Sequence, residues 1–179
     1  MLKRIPQPQP ILQVYAVIAV MLSAWTVTAF LWKLSAWLLV LNLGEILTVF
    51  SYAMVTNLVE SLIVLLLLLI VCALLPPRIL RDDFAARGTI LVLGFIGSLM
   101  LYMRLFMKFG LDHAVGLLVV PFAALLLTAF LLGFSSKFRF VRIFHAVVLW
   151  ISDRLVVFLY ILVPLYVFLL AYVIYRNIA

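Results

Sequence analysis

The feature that most constrains this chain is the length of its uninterrupted apolar runs. From Ile11 to Leu41 the only charged residue is Lys33, and from Ile46 to Leu75 the only one is Glu60. About 20 apolar residues in helical form cross the hydrocarbon of a bilayer, whereas the strands and helices of a soluble domain seldom need such a run. Composition agrees: 69% of the 179 residues are apolar and 11% are charged, against about a quarter charged in soluble domains. These figures exclude a disordered chain, a nucleic-acid-binding domain and an ordinary cytosolic enzyme. The expected class is an all-α integral membrane protein with about five transmembrane helices and one interfacial amphipathic helix.

Punctuation along the chain divides it further. Residues 1–10 carry Lys3, Arg4 and prolines at every second position from Pro6, which favours an extended tail. A cleaved signal is disfavoured, because the apolar run behind the tail is too long and no small-residue cleavage site follows it. Residues 11–75 form a long helical hairpin. Its turn is expected at Asn42-Leu43-Gly44-Glu45, where Asn42 and Glu45 have the spacing of a capping box. Whether residues 35–54 span, re-enter or project beyond the lipid is open at this stage. Pro76-Pro77 stops the second helix, and residues 76–88 form a polar loop. A second hairpin is expected over 89–134, with Gly110 ending its first helix and Asp112 capping the next. Residues 135–154 alternate basic and apolar positions at helical spacing, as an amphipathic helix in the headgroup region does. The final span covers 155–179 and contains Pro164.

Charge placement orients this arrangement. Lys3, Arg4, Arg78, Arg81, Arg87, Lys137, Arg139, Arg142 and Arg154 fall on the amino-terminal side, and Lys33, Arg104, Lys108 and Arg176 on the other. The positive-inside rule then expects a plasma (inner) membrane protein with a cytoplasmic amino terminus and an outer carboxyl terminus. The net charge of +7 is largely explained by that rule.

Three groups of residues are candidates for chemistry. The first is an intramembrane set, Lys33, Glu45, Thr56 and Glu60. Glu45, Thr48, Tyr52, Thr56 and Glu60 recur at three- and four-residue spacing and share a helix face, and Ser23, Thr26, Lys33 and Trp37 fit a similar stripe on the first helix. A turn at Leu43-Gly44 would bring Lys33 near the height of Met54, with Glu60 about 9 Å further along. A carboxylate in hydrocarbon needs a partner, a proton or water, so an ion-pair lock between helices is the preferred reading and an ion or substrate contact the alternative. The second set is Arg104, Lys108, Asp112 and His113 at the outer interface. It reads as cationic anchoring at a helix end, or else as an anion or lipid site. The third is a lipid-headgroup rim made of Arg78, Arg81, Arg87, Lys137, Arg139, Arg142 and Arg154.

Packing signals are also present. Gly94, Gly97 and Ser98 form one patch of small residues, and Ala129 with Gly133 forms another. Tyr166, in the middle of the last span, requires a hydrogen-bond partner within the protein or on a neighbour.

No phosphate-binding loop, nucleophile elbow or zinc-protease motif occurs. Cys72 is the single cysteine, and His113 and His145 stand far apart, so neither a metal site nor a cofactor is expected. The expected partners are membrane lipid and other membrane subunits or further copies of the chain, with no nucleic acid. The functional expectation is a non-enzymatic membrane subunit with an assembly role in a larger complex. The alternative is a small transporter or channel with a polar route along the first two helices through Lys33 and Glu60. A lipid-modifying enzyme using Asp112 and His113 is the least favoured.

Overall fold

The computed structural model describes residues 7–74, 80, 83–110, 114–133 and 139–178. Its elements are α1 (Pro8–Trp37), α2 (Leu43–Leu74), α3 (Phe84–Phe109), the single turn α4 (Ala114–Leu117), α5 (Val119–Gly133) and α6 (Arg139–Ile178). Among the described residues there is no strand. Four helices, α1, α2, α3 and the Arg142–Ile178 stretch of α6, are long and apolar enough to cross a membrane. The protein is an all-α membrane protein.

Local chemistry sets most of the boundaries. α1 begins at Pro8, inside the expected extended tail. Prolines are tolerated in a first helical turn, where their missing N–H has no partner to lose. After Trp37 the chain turns through Leu38–Leu41, whose amides bond back to Leu34, Ala36 and Trp37 carbonyls. Asn42 then starts α2. Its backbone N–H donates to Glu45 Oε2 and the Glu45 N–H donates to Asn42 Oδ1, both at 2.9 Å, which completes the capping box. The turn therefore lies just before Asn42 and not at Leu43-Gly44.

α3 begins at Phe84 rather than at residue 89, so Arg87 lies in its first turn and not in a loop. Its N–H donates to the Asp83 carbonyl at 2.9 Å, and its guanidinium lies 3.8 Å from the Asp83 carboxylate. Gly110 ends α3 at φ 78°, where a side chain is disfavoured, and donates to the Phe106 carbonyl.

The expected fourth span is broken at Leu118, between α4 and α5. Pro121 brings no N–H to the Leu117 carbonyl, and a helix weakens there. α5 has 15 residues, about 22 Å of helix against about 30 Å of hydrocarbon. The expected interfacial helix and final span are not separate elements. α6 is one helix of 40 residues, about 60 Å long, with no glycine, and with a proline only at position 164.

The chain forms two compact units, one comprising Met1–Val14 and Leu68–Asp153, the other Tyr15–Leu67 and Arg154–Ala179. In the first, α3 packs on α5, and a Cβ at Gly94 would overlap the Thr128 side chain. The small residue is what allows this approach. Gly88 lies against Val14 and Leu68, so the start of α3 meets the first turns of α1 and the last turns of α2. Gln13 Nε2 donates to Asp153 Oδ1 at 3.1 Å.

The second unit is a three-helix bundle. Ala16, Ala19 and Leu159 form one buried cluster, and Met54, Tyr166 and Leu169 another. Phe30 stacks edge-on against Phe50 at 5.0 Å and against Trp37 at 5.4 Å.

Candidate functional site

The polar groups inside the three-helix unit are arranged as a seam of closed hydrogen bonds. Ser23 has one hydroxyl proton and donates it to the Ala19 carbonyl at 2.7 Å. Tyr166 lies 2.6 Å from Ser23 Oγ and is therefore the donor of that bond. This supplies the partner that Tyr166 requires. Thr26 Oγ1 donates to Asn57 Oδ1 at 2.9 Å, and the Asn57 amide nitrogen reaches the Leu22 carbonyl at 3.5 Å. Towards the hairpin turn, Thr48 donates to the Gly44 carbonyl at 2.7 Å. The Tyr172 hydroxyl then donates to Thr48 at 3.2 Å and receives Arg176 Nη1 at 3.4 Å. Tyr52 Oη donates to Asn177 Oδ1 at 2.8 Å, which fastens the end of α6 to α2.

These bonds also define the register of the bundle. Ser23 meets Tyr166, and Ala16 and Ala19 meet Leu159, so α1 and α6 run parallel, with Trp32 and Lys33 at the height of Tyr175 and Arg176. Thr48 meets Tyr172 and Met54 packs with Tyr166. Each step along α2 is thus a step back along α6, and Glu60 comes level with Tyr160. On α6 the cations Arg154 and Arg176 stand about 33 Å apart, close to the thickness of a hydrocarbon core.

The expected intramembrane set divides under this geometry. Lys33 and Glu60 are both exposed. Since Phe30 packs on Phe50, Lys33 falls near the height of residues 47–50, about 15 to 20 Å from Glu60 along the axis. The earlier position of the turn accounts for the difference. Glu45 serves the α2 cap, and Thr56 is exposed and donates to the Tyr52 carbonyl at 2.9 Å. The buried polar face of α2 is instead Ser51, Asn57 and Ser61, displaced by about one position from the expected stripe. Asn57 went unnoticed in the sequence, although its amide, rare in so apolar a run, marks a group that must be satisfied.

In the other unit, Arg104 and Lys108 are exposed near the end of α3, with Lys108 Nζ 5.4 Å from the Phe109 ring centroid. Of the headgroup rim, Arg87 is half-buried while Arg142 and Arg154 are exposed on α6. Arg78, Arg81, Asp112, His113 and Lys137 lie outside the described residues, as do the side chains of Arg139, Ala129 and Gly133. An apolar surface groove is lined by Leu118, Val119, Phe122, Ala123 and Leu126. Among the described residues, no three His, Cys, Asp or Glu side chains are grouped to hold a metal ion.

Chemically, the seam binds helices together. Its hydroxyls are committed to carbonyls or to one another. No family model matches the chain, and no characterised protein or solved structure is similar to it.

Proposed function

We propose that this protein is a non-enzymatic membrane subunit whose role is to assemble with other membrane subunits. The observation that carries the reading is the hairpin tip. Trp32, Lys33, Tyr175 and Arg176 share one height, and aromatic and cationic side chains of this kind favour the headgroup level. The turn beyond them extends up to about 10 Å further, and it is apolar: Leu39 is 88% exposed and Val40 80%, with Leu38 and Leu43 exposed beside them. A contiguous apolar surface outside the hydrocarbon is stable when another protein covers it.

The closed seam supports the same reading, because its bonds hold the hairpin in shape and leave no group free for turnover. The excess of basic residues on the amino-terminal side favours a plasma (inner) membrane location, with residues 38–43 and the carboxyl terminus on the outer face.

The test is affinity purification of the full chain from native membranes in mild detergent. A stoichiometric protein partner, or a second copy, is expected to co-purify, and Leu39→Glu with Val40→Glu is expected to lower its recovery while the protomer keeps its helicity. A monodisperse monomer with nothing bound overturns the proposal.

A further inference from the structure

Two cations stand near the carboxyl end of α3 with no acid to compensate them among the described residues. Arg104 and Lys108 are exposed and one turn apart, and neither forms an ion pair among the described residues. Lys108 Nζ lies 5.4 Å from the Phe109 ring centroid, a contact that leaves its charge uncancelled. Along α3, Arg87 and Lys108 are about 32 Å apart, close to the thickness of a hydrocarbon core. Arg104 is about 6 Å inside Lys108, at a depth where a guanidinium requires a headgroup or water.

The backbone of a second helix is interrupted at the same height. α5 packs on α3 with Thr128 against Gly94, and the chain between Phe109 and Ala114 is short, so α5 returns antiparallel to α3. Each step along α5 is then a step back along α3, and Leu118 comes level with Arg104. Leu118 is where the fourth apolar stretch breaks between α4 and α5, because Pro121 brings no N–H to the Leu117 carbonyl. At membrane depth such a break is tolerated where protein, water or a polar group reaches it. The two cations are also placed beside α5. Lys108 follows Gly94 and Leu101 at seven-residue steps, and Arg104 follows Gly97, so both flank the face that packs on α5.

The surroundings are hydrocarbon-like: Leu101, Met103 and Met107 are all exposed on the same two turns. A ligand that fits this corner combines an anionic head with apolar chains. Two positive charges favour a headgroup of net negative charge over one whose own amine cancels its phosphate.

We propose that Arg104 and Lys108 bind the phosphate of one anionic phospholipid, held beside the break at Leu118 with its chains along the exposed apolar residues of α3.

The test is native mass spectrometry of the full chain in neutral detergent, with phosphatidylglycerol or phosphatidylcholine added at equal concentration. Phosphatidylglycerol is expected to stay bound to the protomer and phosphatidylcholine to be lost. Arg104→Gln and Lys108→Gln are each expected to weaken retention about fivefold, the contribution of one cation near an anionic lipid surface. Arg104→Lys keeps the charge and is expected to retain the lipid. Arg142→Gln removes an exposed cation of α6 and controls for bulk charge, with little change expected. Arg104 and Lys108 are exposed, so melting in lipid-free detergent should match the wild type, which separates a lost site from lost folding.

Equal retention of the two lipids by the wild-type chain overturns the inference, and so does undiminished retention in both glutamine variants. A loss in Arg142→Gln as large as theirs overturns it too, because the effect is then one of net charge. Release of phosphatidylglycerol by inorganic phosphate shows a site for a free anion and also overturns it. So does an acidic protein that co-purifies through these cations while lipid retention is indifferent to them.

Discussion

Ser23, Asn57 and Tyr166 show how a polar side chain is accommodated in an apolar bundle. Each is buried and each is bonded within the same three helices, which avoids the penalty of an unpaired polar group in a low-dielectric interior. The bond between Tyr166 and Ser23 joins α6 to α1. Tyr166→Phe keeps the ring and removes the donor, while Ser23 retains its bond to the Ala19 carbonyl. The expected loss is therefore modest, about 0.5 to 1.5 kcal/mol, measured as a lowered unfolding midpoint in a denaturing-detergent titration. An unchanged midpoint would show that the hydroxyl does not hold α6 in place. The need of Tyr166 for a partner was legible in the sequence, because a phenol in mid-span must be satisfied. Its partner was not, since Ser23 is 143 residues away and only folding brings the two together.

At the scale of elements, caps and breakers were the most legible features. The Asn42–Glu45 box and the Gly110 stop depend on neighbours within four residues, so spacing along the chain is sufficient to find them. Continuity was harder to read. Ser152-Asp153 and the basic residues before them resemble the end of an interfacial helix, yet α6 runs through them unbroken, because every residue there tolerates helical backbone. The small-residue patch on α3 was visible, and the structure shows what uses it: Thr128 of α5 occupies the space that a Cβ at Gly94 would take. Gly94→Ala is expected to cost about 1 to 3 kcal/mol through overpacking. Adding Thr128→Ala, which removes the hydroxyl and a methyl group, should recover much of that. The thermal midpoints of the single and double variants in detergent check the pair. If the double variant is no better than Gly94→Ala alone, the clash is not with Thr128.

For the whole molecule, the charge distribution and the belt of Trp32, Lys33, Tyr175 and Arg176 lead to an expectation about sidedness. In a Cys72→Ala background, Val40→Cys should react with a membrane-impermeant maleimide added to intact spheroplasts. Gln7→Cys should react only after the membrane is opened. The reverse pattern would invert the proposed orientation. The same labelling bears on the assembly reading, because a covered tip reacts more slowly than a free one and speeds up when the partner is removed.

The sequence by itself determined that this chain lives in lipid, that it is helical, and that Asn42 with Glu45 and Gly110 mark helix ends. Those properties follow from transfer free energies and hydrogen bonds that are additive along the chain or local to a few residues. Only the tertiary structure decided which face of each helix is inside. α1 and α2 are apolar almost all the way round, and a helix without a polar face carries no periodic mark of its buried side. For that reason Asn57 and Ser61 face inward while Glu60, next to Ser61, faces out. That rotation, with the earlier turn, leaves Lys33 and Glu60, expected as an internal pair, both exposed and far apart.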